Sequence, residues 1–136
     1  MVRNKPAGDV LNALAAYATN PANFWRVLPW DLGAAGALAA VCLFWANPAF
    51  LAVMLVGLSL IMLWKSEPAD WWAYAFCALF GTLAEMMGVA VGAWQYGAGT
   101  LLGVPVWLPL LWGIACLFMV QVSREFARLK KYLEAG

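Results

Sequence analysis

Residues 80–92 read Phe80-Gly81-Thr82-Leu83-Ala84-Glu85-Met86-Met87-Gly88-Val89-Ala90-Val91-Gly92, a run with one ionisable side chain at its middle. At helical pitch Gly81, Glu85, Gly88 and Gly92 return to the same side, because spacings of three and four residues share a face. That face is glycine except for the acid, so it is expected to turn toward a close-packed partner helix. An acid held inside a membrane helix is costly and marks a functional site by default.

The composition around this stretch has the same character. Of 136 residues, 65% are hydrophobic and only 11% charged, and the mean hydropathy of +0.78 is that of an integral membrane protein. Nine tryptophans include Trp25, Trp30, Trp64, Trp71, Trp72 and Trp94 at the ends of apolar runs, where an indole suits the headgroup layer. A net charge of +1 with no histidine points to no nucleic-acid partner and excludes imidazole as base or haem ligand. Cys42, Cys77 and Cys116 stand alone inside apolar runs, as small hydrophobes rather than a metal site or disulfide. No cofactor and no cleavable signal peptide is expected.

The pattern predicts an all-α protein, an integral membrane four-helix bundle with short loops and an N-terminal interfacial helix, in one domain over 1–136. Polar residues 1–9, with Pro6 and Gly8, read as a tail. The interfacial helix covers about 9–28 behind an Asp9 cap. Spans follow at about 29–46, 49–64, 69–93 and 105–122, each near the roughly 17–25 residues that crossing requires. Asn47-Pro48 turns the first hairpin, and Ser66 or Asp70 caps the third span. Residues 94–103 form a glycine-rich loop, and no strand pattern appears. Pro105 and Pro109 fit only a first helical turn, so the fourth helix starts late or is distorted there. Residues 123–136 are a helical tail in water.

Lysine and arginine occur before the first span, in the loop at Lys65, and after the fourth span at Arg124, Arg128, Lys130 and Lys131. By the positive-inside rule both termini are cytoplasmic, as in a bacterial inner-membrane protein. The same cations could also touch anionic lipid. Asp31 reads as an interfacial or capping acid.

No cation lies in any span to pair with Glu85, so its expected partners are Ser59, Tyr74, Thr82, Gln95 or Tyr96. Tyr96 and Trp94 lie about two and a half to three turns above it if the helix persists. Glu85 and Tyr96 are the candidate catalytic pair, and Trp94, Gln95, Trp107 and Trp112 the candidate substrate-binding residues. No metal-binding residues are expected.

Glu85-x-x-Gly88, Gly92, Tyr96, Leu102-Gly103-Val104-Pro105, Pro109-Leu110 and Trp112 resemble the signature of the membrane-embedded carotenoid hydratases of the bisanhydrobacterioruberin-hydratase type. Small uncharacterised bacterial membrane proteins share much of this string. The resemblance covers about residues 81–113. It departs at Ala93-Trp94-Gln95, where a Phe-Gly pair is usual, and the chain is shorter than those enzymes. It implies acid-catalysed hydration of an apolar isoprenoid, with Glu85 as proton donor, indole faces steadying a cation, and Tyr96 or Gln95 positioning water.

Two other classes fit the residues. One is a non-catalytic membrane subunit whose small-residue faces dock a protein partner. The other is a proton-coupled transporter working as a homo-oligomer, like the small multidrug exporters in outline, although those carry their acid in the first helix. In every reading the protein is surrounded by membrane lipid.

Overall fold

A computed structural model describes residues 6–97 and 100–135. The tail residues 1–5, Ala98 and Gly99 of the glycine-rich loop, and Gly136 lie outside the described residues. Five helices appear in order: α1 (Ala7–Thr19), α2 (Pro21–Phe44), α3 (Pro48–Trp64), α4 (Pro68–Ala90) and α5 (Leu108–Ala135). A two-stranded antiparallel ribbon, β1 (Thr100–Leu101) with β2 (Val104–Pro105), precedes α5. Helices α2, α4 and α5 are each long and apolar enough to cross a membrane; α3, with 17 residues, is shorter.

The expected helix over 9–28 is two helices. Asn20 is extended and its side chain accepts the Ala22 N–H at 3.0 Å, with Pro21 at the first helical position. An Asn cap followed by proline starts a helix, so α2 begins there and not at Pro29. Pro29 sits inside α2, leaving the Trp25 carbonyl without its helical donor. Helix α1 likewise begins before Asp9, which lies in the first turn rather than at the cap. Both hairpin arms end as expected, Asn47 accepting the Phe50 N–H at 3.2 Å with Pro48 beginning α3. Ser66 closes α3 by donating to the Met62 carbonyl. The N-cap of α4 is Glu67, and Asp70, one turn in, accepts the Glu67 N–H at 3.1 Å.

Helix α4 stops at Ala90, three residues before the expected end. Gly92 has φ +75°, Ala93 N–H donates to the Gly88 carbonyl at 2.9 Å, and Gly92 N–H to the Val89 carbonyl at 3.0 Å. This is a Schellman closure, for which a glycine is the usual residue. Gly92 therefore ends the helix instead of extending its glycine face. The ribbon, unexpected from the sequence, turns through Leu102 and Gly103, both at positive φ (54° and 86°), as a tight two-residue hairpin requires. Helix α5 starts after Pro105, with Pro109 in its first turn, and continues unbroken through the expected tail to Ala135.

Helix α5 packs against all four others, and α4 packs chiefly on α5. Leu51 and Leu55 of α3 and Ile114 and Leu117 of α5 are fully buried at the centre. The α4–α5 contact uses rings on glycines. A Cβ at Gly113 would lie 2.4 Å from the Tyr74 ring, and one at Gly81 would lie 2.5 Å from the Trp112 indole. Tyr74 also shares a 2.8 Å hydrogen bond with Ser59 of α3, and the Cys116 thiol donates to the Ala73 carbonyl at 3.3 Å.

The two ends of this assembly differ chemically. At one, the Arg124 guanidinium donates two 2.8 Å bonds to the buried Asp70 carboxylate and one of 3.2 Å to Glu67. There too Arg26 forks onto Glu125 at 2.7 and 2.9 Å, joined by the Tyr17 hydroxyl, Arg128 and a Tyr17–Tyr132 ring contact. The opposite end, comprising the α2–α3 turn and residues 91–107, has no charged residue.

Candidate functional site

Helix α4 carries Glu85 to within five residues of its end at Ala90, about 22 Å along the axis from Asp70 at 1.5 Å per residue. The acid thus lies nearer the uncharged end than a helix to residue 93 would place it. Its partner among the five expected hydroxyls and amides is Tyr96, whose hydroxyl donates to Glu85 Oε2 at 2.8 Å. The others are otherwise engaged or turned away. Tyr74 and Ser59 bond each other, Thr82 donates to the Ala78 carbonyl, and Gln95 is exposed.

The early stop at Gly92 is what brings Tyr96 back. Once the chain reverses there, residues 94–96 run down the side of α4. A Cβ on Gly88 would fall 2.2 Å from the Trp94 indole, so the ring lies flat against bare backbone. Gly103 approaches Val89 in the same way, its Cβ position 2.9 Å from Cγ1. The glycine face thus meets a partner helix, as expected, only at Gly81, where Trp112 of α5 covers it; at Gly88 the cover is Trp94 of the loop, and Tyr96 of the same loop bonds Glu85.

Of the six candidate residues, Glu85 and Tyr96 are bonded and Trp94 lies beside them on Gly88, while Trp112 rests on Gly81, one helical turn before the acid. Trp107 is buried among the core residues at the start of α5, and no described contact joins it or Gln95 to Glu85. Glu85 is half-buried, and its Oε1 makes no hydrogen bond among the described residues. Burial, then the Glu85 hydrogen bond and charge, push the Tyr96 phenol up to about 12, so it remains the donor in this pair at neutral pH. Among the described residues no cluster of His, Cys, Asp or Glu could hold a metal.

Sequence reasoning missed two features. Asp70 and Arg124, read as a cap and a topology signal, form the buried ion pair; antiparallel α4 and α5, with both residues at the charged end, was the available signal. Asp31 opens onto two cavities rather than acting as a cap. No family model, curated protein sequence or solved structure matches the chain.

Proposed function

We propose that the protein is a four-span inner-membrane protein, with both ends cytoplasmic, that hydrates an apolar isoprenoid at Glu85. Four crossings are favoured by the course of α3, which carries the chain from the uncharged turn at Asn47 back to the charged end at Lys65. Its 17 residues lie at the lower limit for a span. With every lysine and arginine among residues 6–135 at or beyond that charged end, the positive-inside rule orients it to the cytoplasm.

The observation that carries the chemistry is the asymmetric carboxyl of Glu85. Oε2 accepts from Tyr96 and Oε1 has no hydrogen-bond partner among the described residues. In the acid form, the Tyr96 bond to Oε2 fixes the carboxyl and leaves Oε1 to present its proton to the alkene. That proton adds to one alkene carbon, leaving a tertiary cation on the other. Water bonds to the cation, and the proton lost from the resulting oxonium returns to Glu85. The Trp94 and Trp112 rings stand on either side of the acid, where their faces could attract the cation.

The test is expression in a carotenoid-producing host. Wild-type protein yields a more polar pigment, Glu85→Gln abolishes it, and Tyr96→Phe reduces it. An unchanged pigment profile with membrane-inserted wild-type protein overturns the carotenoid reading.

A second reading has its own support. Only Asp70 and Gly88 of α4 are buried, and its outer face presents Trp72, Phe76, Phe80 and Met87, with Phe76 and Phe80 stacked at 4.3 Å. Such a one-sided helix suits a non-catalytic subunit with Glu85–Tyr96 as an internal lock. A stoichiometric membrane partner co-eluting in mild detergent would favour it.

A further inference from the structure

On the side of the molecule formed by α2 and α5, two cavities of about 270 and 350 Å³ meet at Asp31 and Phe118. The first opens toward the charged end past Tyr17, Trp30 and Gln121. The second runs the other way between Ala34, Ala35 and Leu38 of α2 and Leu111 and Ala115 of α5. From Asp31 to Leu38 is seven residues, about 10 Å of apolar groove at helical rise. Small side chains on both walls keep it open.

The charges at the junction are unequal. Glu125 also lines the first cavity, but Arg26, Arg128 and Tyr17 already occupy its oxygens. Asp31 has no hydrogen bond or ion pair among the described residues, and neither cavity is lined by a lysine or arginine. An exposed carboxylate with no cation partner among the described residues, at the head of an apolar groove and beside the Trp30 and Phe118 rings, suits a cation with a hydrocarbon chain.

We infer that the α2–α5 groove binds a single-chain aliphatic ammonium amphiphile, its head on Asp31 beside Gln121 and its chain along Ala34 and Ala115. This site is separate from Glu85 and independent of the hydration reading. Pairing of an ammonium with a carboxylate is a charge-assisted bond; Asp31 is exposed, so its share of the affinity is modest and the apolar walls supply the rest.

The test is calorimetric titration of the purified protein in nonionic micelles with decylammonium and with decanol, blank micelles being subtracted. Wild type binds both saturably and prefers the ammonium by about threefold. Asp31→Asn removes that preference while decanol still binds. Ala115→Phe, or Ala34→Leu should the bulkier change prevent folding, fills the groove and abolishes both. Equal binding of the two probes by wild type, a preference that survives Asp31→Asn, or undiminished binding in the filled groove overturns the inference.

Discussion

The charged and uncharged ends of this protein are joined by different physics. At the charged end, pairs of guanidinium and carboxylate groups tie α2 and α4 to α5 across large sequence separations, and the Tyr17 hydroxyl adds α1. At the uncharged end, rings lie on glycines, and one phenol–carboxylate bond holds the loop to α4. Ion pairing fixes the end where the charged side chains are gathered. Ring-on-glycine packing needs no charge, and it suits an end whose sequence supplies none.

The largest effect should follow from breaking the charged end. Arg124→Ala leaves the Asp70 carboxylate, 2% exposed, buried without its cation, a loss expected to cost about 3–5 kcal/mol in denaturant or thermal unfolding of the protein in micelles. At the other end, Gly88→Ala puts a methyl where the Trp94 ring lies. The expected cost is about 1–3 kcal/mol, with a local signature: Trp94 emission shifts and protease cuts the loop after residue 91 before the helices open.

Smaller effects sharpen the contrast. Tyr96→Phe removes one hydrogen bond and should cost about 1 kcal/mol. Titration of ring-labelled tyrosine should show Tyr96 ionising near 12. Because its folded pKa is raised, this bond's contribution is complete below the ordinary phenol range and is lost as pH rises through about 12. In Glu85→Gln the pKa should fall but stay above the ordinary value, burial being the larger cause. The smallest effect is the coupling of Arg26 with Glu125. Arg26 is 36% exposed, and a double-mutant cycle should give no more than about 1 kcal/mol, shrinking with salt.

Helix positions and the chemistry of the ends were legible because they depend on local rules. Asn47-Pro48 and the apolar periods marked the hairpin, and charge asymmetry marked the ends. Pro29 misled because a proline signals a start only when no stronger start precedes it, and Asn20-Pro21 did. Gly92 had two meanings, small residue on a face or left-handed helix stop, and spacing alone could not separate them. The pairing of Glu85 with Tyr96 was in reach as one of five options. Choosing it required knowing where α4 ends, since an uninterrupted helix would carry Tyr96 away from the acid. Which rings cover which glycines, and which arginine meets Asp70, depend on how α4 rests on α5, a relation that no local pattern encodes.

Helix α5 touches every other helix, and it is the last of the five to leave the ribosome. Until it is made, α4 has little to pack on, Asp70 lacks its arginine, Glu125 is missing from the α1–α2 junction, and Gly81 lies bare. Closure of the assembly is therefore gated by α5: the α2–α3 hairpin can pack before it is made, but α4 joins the rest chiefly through it. A nascent chain arrested before residue 108 should be a target for quality-control proteolysis, and a separately expressed α5 should rescue it in trans.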